Sequence, residues 1–254
     1  MAVTTEETSV GTDRVALVTG ASRGIGLAIS EQLLARGLRV VGTHVRPVAD
    51  DSELAVALRE HSGRMVATPF ELGSTESAHS AVTETIDQFE RLDTLIANAG
   101  IWHGGFLQDV DPDRWWSVVE SNVRGNVELV RAALPALLRG SSPSITFVSS
   151  VVGEIGFTGD TAYAGSKAAL VGVARSLAKE LARSGVRVNV VQPGFVETEM
   201  TDHVPDRSRE HILRQTLMRR FGTPDEIATA ATFLSEDATF ATGTVLTIDG
   251  GWSI

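Results

Sequence analysis

A chain of 254 residues with no cysteine and a formal net charge of −10 is long enough for one α/β domain or two small ones, with a core that needs no staple. The missing cysteine excludes thiolate catalysis and Cys-ligated zinc, and it fits a reducing compartment. With no basic stripe and no apolar run of about 18 residues, neither nucleic acid nor membrane is an expected partner, and a cytoplasmic location is expected.

Residues 1–12 are polar and acidic, lack the apolar region of a signal peptide, and are expected to form a flexible extension. The remainder, 13–254, shows no internal repeat or linker and is expected to be one domain. Its first short apolar run, 14–19, leads straight into Thr19-Gly20-Ala21-Ser22-Arg23-Gly24-Ile25-Gly26, which opens a helix that Gly37 stops. Further buried strands are expected at 39–44, 65–69, 94–97, 144–149, 187–192 and 245–248. Asp111-Pro112 and Thr223-Pro224-Asp225-Glu226 carry helix-start signals. Leu170, Val173, Ala174, Leu177 and Leu181 share one helix face. Strands alternating with helices predict a doubly wound parallel sheet of Rossmann type, helices covering both faces.

Chemistry attaches to particular points of this frame. Glycine suits a tight turn and the close approach of a pyrophosphate, and the helix N-terminus behind it presents N–H groups and a positive dipole end to an anion. Gly20, Ser22, Arg23, Gly24, Ile25 and Gly26 are therefore candidate cofactor contacts. A dinucleotide-binding strand commonly ends in an acid for the ribose 2′-hydroxyl, yet the second strand here runs Gly42-Thr43-His44-Val45-Arg46. A carboxylate there would repel a 2′-phosphate. Its absence, with Arg46 and Arg23 nearby, favours NADP(H), although Arg46 read alone is equally well a solvated surface charge.

Tyr163 and Lys167 stand four residues apart, on one helix face. A phenol ordinarily titrates near ~10, a neighbouring cation lowers that value, and a phenol so tuned can exchange a proton with a substrate oxygen. Tyr163 is the only tyrosine of the chain. Ser149-Ser150 closes the preceding strand, where a hydroxyl can hold the same oxygen or be an ordinary turn residue. No His/Asp/Glu group has convincing metal-ligand spacing.

Taken together in this order and spacing, the glycine segment, Asn98-Ala99-Gly100, Asn122, Ser150, Tyr163-x-x-x-Lys167, Pro193-Gly194 and Asp249-Gly250-Gly251 resemble the short-chain dehydrogenase/reductase family over nearly the whole chain. The separation of Ser150 from Tyr163 is the one that family uses, which selects Ser150 over Ser149. The resemblance implies Tyr163 as general acid/base and Lys167 as its tuner and the holder of the nicotinamide ribose. It also implies Ser150 as the orienter of the substrate oxygen and Asn122 as a support of a water-linked proton relay. Asn98, Ala99 and Gly100, with Glu71 and Leu72, would lie on the adenosine side. Pro193, Gly194, Val196 and Thr198 would lie on the nicotinamide side, and His44 and Arg46 match NADP-preferring members.

Val190 to Thr201 and the closing Gly243 to Gly251 look like the 3-oxoacyl-acyl-carrier-protein reductases of that family. That likeness implies NADPH-dependent reduction of a β-keto acyl thioester, with acyl carrier protein as a partner, a homotetramer, and a substrate lid over 195–221. Three positions depart from the pattern. Glu71-Leu72 stands where an Asp-Val or Asn-Val pair is common. Leu217-Met218-Arg219-Arg220 replaces Pro-x-Gly-Arg, and Lys179, a candidate carrier-docking cation beside Arg139, replaces the commoner Arg. Reduction or oxidation of another ketone or alcohol (sugar, steroid, polyketide intermediate) is the alternative, and a non-enzymatic NADP(H) sensor is a third reading. Trp102 reads as pocket wall or simple packing, and Trp115-Trp116 as core or subunit contact.

Overall fold

A computed structural model describes residues 13–202 and 204–254; the expected N-terminal extension, 1–12, lies outside them. Seven strands form one parallel sheet: β1 (Val15–Val18), β2 (Arg39–His44), β3 (Met65–Pro69), β4 (Thr94–Ala97), β5 (Ser144–Val148), β6 (Arg187–Pro193) and β7 (Val245–Ile248). Four of them have the bounds expected from sequence. β1 is one residue shorter at each end, β5 stops before Ser149, and β6 takes in Pro193. Proline cannot donate to the ladder, but at the strand's last position it does not have to: Pro193 pairs with Ile248 while its carbonyl accepts from the Val151 N–H at 2.9 Å.

The helices are α1 (Gly24–Ala35), α2 (Glu53–Glu60), α3 (Thr75–Phe89), α4 (Pro112–Val119), α5 (Asn126–Leu137), α6 (Val152–Ile155), α7 (Thr161–Leu181), α8 (Glu199–Asp202), α9 (Asp206–Gln215) and α10 (Pro224–Thr232). A π-helical turn, Glu120–Gly125, joins α4 to α5. Both predicted helix starts are capped as their residues suggest. Asp111 accepts from the Arg114 N–H, and Thr223 and Glu226 form a reciprocal capping box.

Side chains of each strand alternate between two apolar layers, and both are covered by helices. Leu17, Val41 and Leu95 pack with α3, α5 and α7, while Ala16, Val18, Val40 and Ile96 pack with α1 and α10. That two-sided burial is why the strands read as continuous apolar runs. On α7, Leu170, Ala174 and Leu181 are buried as the periodicity predicts, with Val173 and Leu177 partly buried against the same layer. No helix among the described residues is long and apolar enough to cross a membrane.

The sheet order is β3-β2-β1-β4-β5-β6-β7. The chain therefore reverses its direction of travel between β1 and β4, and a crevice opens there at the carboxyl ends of the strands. The loops that follow β1, β4, β5 and β6 all reach that edge.

Candidate active site

The glycine turn after β1 is held from two sides. Thr43 of β2 accepts the Gly20 N–H on its hydroxyl at 3.1 Å and the Ala21 N–H on its carbonyl at 2.8 Å. From β4, Asn98 donates its side-chain amide to the carbonyls of Thr19 (2.9 Å) and Gly20 (3.3 Å), while the Thr19 hydroxyl accepts the N–H groups of Asn98 and Ala99. Asn98 thus braces the turn itself. Gly20 adopts φ +66°, and a Cβ on Gly26 would lie 2.1 Å from the Gly20 carbonyl oxygen, so only glycine lets α1 pack this tightly on the turn.

No side chain caps the N-terminus of α1. Among the described residues, the N–H groups from Ser22 to Gly26 find no acceptor. A row of free donors at a helix start, behind glycines that admit a close ligand, fits the pyrophosphate of a dinucleotide. Arg23 stands at the edge of this cradle, where it pairs with Glu199 of α8 at 2.7 Å. Gly24 lies opposite Thr198, whose methyl would be 3.3 Å from an added Cβ, and Ile25 packs partly buried on the α1 side of the sheet.

The remaining cofactor candidates lie along the same edge. His44 ends β2 with its ring Nδ1 2.8 Å from the Arg46 carbonyl, and the Arg46 side chain is exposed. Glu71 is exposed beyond β3, and its N–H donates to Ser77. Leu72 instead packs on the π turn, close enough that a Cβ on Gly125 would lie 2.8 Å from its Cδ1. Beyond β6, Gly194 lies against Asp249, where a Cβ would come within 2.8 Å of the backbone, and its N–H donates to the Ile248 carbonyl. Val196 is buried, and the Thr198 N–H donates to Thr201.

Ser150, Tyr163, Lys167 and Asn122 are brought together by β5, α7 and the π turn. Ser150 sits just past β5, buried, and its hydroxyl accepts the Val152 N–H at 3.2 Å. Lys167, one turn along α7 from Tyr163, is 3 % exposed and donates to the Val148 carbonyl at 2.9 Å. Its Nζ lies 5.5 Å from the centre of the Tyr163 ring, and Gly100 leaves room for it, since a Cβ there would be 3.2 Å from that nitrogen. The Asn122 amide is fully engaged. Its oxygen accepts the Ile101 N–H at 2.8 Å, and its nitrogen donates to the Ile101 carbonyl (2.9 Å) and the Ser166 hydroxyl (3.0 Å). Ser166 in turn donates to the Tyr163 carbonyl at 2.8 Å, so Asn122 and the tyrosine turn of α7 are tied together. The widened π turn leaves the Asn122 carbonyl to the side chain of Asn126, which donates to it at 2.7 Å.

The electrostatics correct one expectation. Sequence reading has Lys167 lowering the Tyr163 phenol; burial instead pushes that phenol up to about 12, with the Ser150 hydroxyl opposing the rise and Asp160 adding to it. The cause is the burial of the phenol itself, which disfavours its charged form; burial likewise brings the Lys167 ammonium down to about 8.

Several participating residues were not singled out by sequence. Thr19, Thr43 and Ser166 anchor the site through hydroxyls inside segments noted for other residues. Asp160 precedes α7 without capping it and accepts the Trp102 indole N–H at 2.9 Å. An acid three residues before Tyr163 was the available signal. Trp102 is 42 % exposed, so it neither buries itself nor stands free: it clamps the loop after β4 to the start of α7. Trp116 is 59 % exposed, which rules out the core for it. No cluster of potential metal ligands occurs among the described residues.

A family profile described as enoyl-(acyl carrier protein) reductase matches residues 20–253. Relatives named 3-oxoacyl-(acyl-carrier-protein) reductase FabG include one from Salmonella typhimurium, 39% identical over 94% of this chain and 96% of its own length. Another, from Escherichia coli, is 38% identical over 94% and 96%, and one from Staphylococcus aureus is 34% identical over 93% and 96%. On this evidence and that of the fold, the chain belongs to the short-chain dehydrogenase/reductase family.

Proposed function

We propose that this protein reduces the keto group of a β-keto acyl thioester to a secondary alcohol at the expense of NADPH, with the acyl group presented on an acyl carrier protein. The observation that carries the reading is the convergence of Ser150, Tyr163 and Lys167 beside the crevice, in a chain whose relatives bear the name of that reaction. A bound nicotinamide supplies the hydride. Tyr163, kept protonated at neutral pH by its raised pKa, donates the phenolic proton to the carbonyl oxygen. Ser150 holds that oxygen, and Lys167 returns a proton toward the tyrosine. The free amides from Ser22 to Gly26 hold the pyrophosphate. Arg46, exposed at the end of β2 with no acid beside it, would hold the 2′-phosphate. The segment 195–221 acts as the substrate lid, Lys179 and Arg139 serve the carrier, and exposed apolar side chains such as Trp116 belong to the contacts of a homotetramer. A cytoplasmic setting goes with this reading.

Loss of NADPH absorbance with an acetoacetyl thioester, run beside Tyr163→Phe, tests it. Turnover that collapses in the variant supports the reading; turnover that survives overturns the role of Tyr163. The family profile's own description favours a second reading, reduction of an enoyl thioester. A Ser150 hydroxyl beside the Tyr163 phenol suits a keto oxygen better than a carbon–carbon double bond. A crotonyl thioester in the same assay separates the two.

A further inference from the structure

The segment from 206 to 220 is unusual in a chain of net charge −10: it carries Arg207, Arg209, His211, Arg214, Arg219 and Arg220. Several of these have local partners. Arg209 reaches Glu197, Arg220 is held by Glu226 through two hydrogen bonds, and Arg219 bonds to backbone carbonyls of α9. Arg207, His211 and Arg214 do something else. With Ser208 and Phe157 they line an open cleft of about 300 Å³ between α9 and the loop after α6. Arg214 shares Glu210 at 3.6 Å, but both side chains are more than 60 % exposed, so that pair is weak and readily exchanged.

This basic cleft adjoins a larger one of about 430 Å³, with which it shares Phe157 and His211 as walls. Trp252 and Phe157 form part of its wall; Trp252 belongs to a small apolar cluster with Val151 and Val152, against which both Phe157 and Tyr163 pack. The two clefts thus lie on the outer side of the aromatic wall whose inner side packs with Tyr163, and the basic one holds two guanidinium groups, an imidazole and a hydroxyl. Guanidinium groups bind phosphate and carboxylate through paired N–H donors, and a phosphate ester offers oxygens enough for all of these groups at once.

We propose that this basic cleft is a subsite for the phosphate ester at the far end of a pantetheine-type thioester arm. The proposal rests on the thioester reading above and adds to it a recognition element remote from the chemistry. That phosphate can come from a free phosphorylated arm or from an arm carried on a protein.

The test compares acetoacetyl-pantetheine with acetoacetyl-4′-phosphopantetheine, which differ only in the phosphate. The wild type is expected to favour the phosphorylated thioester about tenfold in kcat/KM, chiefly through KM. In an Arg207→Gln/Arg214→Gln variant that ratio should fall to near one, and an Arg207→Lys/Arg214→Lys variant should restore part of it. A wild-type ratio of one, or a ratio the Gln variant leaves unmoved, overturns the proposal. A comparable loss of kcat/KM with a carrier-loaded thioester in the Gln variant assigns the phosphate to a carried arm, and a loss confined to the free phosphorylated thioester assigns it to a free one. If neither thioester turns over, the thioester reading fails, and calorimetry with 4′-phosphopantetheine then reads the subsite alone. Saturable binding lost in the Gln variant supports it, and no binding overturns it.

Discussion

The indole N–H of Trp102 donates to the buried carboxylate of Asp160 at 2.9 Å, joining the loop after β4 to the first turn of the helix that carries Tyr163. The Gly105 N–H to the Gly159 carbonyl (2.8 Å) and the Trp115 indole to the Thr161 hydroxyl (2.9 Å) close the same seam. Removing the indole donor leaves a buried carboxylate unpaired, so Trp102→Phe is expected to cost about 1–3 kcal/mol of stability. Burial raises the Asp160 carboxyl above its ordinary pKa. Its stabilisation is thus fully present below the unfolded value and lost as pH rises through the folded one. Asp160→Asn, which keeps an acceptor without the charge, should be at least as stable as wild type at neutral pH, with the advantage fading in acid. Urea unfolding at both pH values checks this, and a Trp102→Phe midpoint equal to wild type would refute the clamp.

Lys167 gives a prediction of opposite sign. Burial brings its ammonium from an ordinary 10.5 to about 8. Between those values the unfolded chain binds the proton and the folded protein does not, so stability rises with pH across that window. At ~1.4 kcal/mol per pH unit the rise is roughly 3 kcal/mol. Lys167→Met should lack that rise when the two proteins are compared by denaturant unfolding across the window. Its ketone reduction should fall by about 10²–10⁴, as for loss of a proton-transfer group. A variant with the same pH profile of stability as wild type would show that Lys167 is not the titrating group.

The sheet was legible in the sequence because a strand buried on both faces has no polar alternation to confuse it; 39–44 and 94–97 needed no adjustment. The candidate site was legible as a set of positions that the fold brings to one edge: the glycine turn, Ser150, Tyr163, Lys167 and Asn122. Directions and partners were not. The burial of Lys167 depends on Val148 of β5 and on Gly100 in the loop after β4, and the burial of Tyr163 outweighs any neighbouring charge in setting the phenol. The partnership of Asp160 with Trp102, and of Arg23 with Glu199, joins residues far apart in sequence, so no local spacing announces it. Asn122 carried no visible sign that its turn would widen.

Gly26 tests the phosphate cradle sterically. A Cβ 2.1 Å from a backbone oxygen cannot be relieved by moving a flexible side chain, so α1 and the turn must separate. Gly26→Ala is expected to lose about 1–3 kcal/mol of stability, as for overpacking, and to weaken NADPH binding at least tenfold. Fluorescence titration beside thermal unfolding reads both effects. Undiminished affinity in the variant would mean that the cofactor does not need this turn.

On the NADPH reading proposed above, cofactor choice would rest on the end of β2, where Arg46 is exposed and the run from Gly42 to Pro47 holds no acid for a ribose 2′-hydroxyl. Arg46→Asp reverses both terms: it repels a 2′-phosphate and offers the carboxylate that NAD-binding turns use. The ratio of kcat/KM with NADPH to that with NADH should fall by at least tenfold. Arg23 complicates the picture, because in this structure its guanidinium is already occupied by Glu199. Both partners are about half exposed, so breaking that pair costs little stability, within ~0.5 kcal/mol. Glu199→Gln should therefore free Arg23 for the cofactor phosphates and tighten NADPH binding a few-fold, with an effect that shrinks as salt is raised. If Glu199→Gln instead weakens binding, the ion pair is part of the closed cofactor site and not a competitor for Arg23.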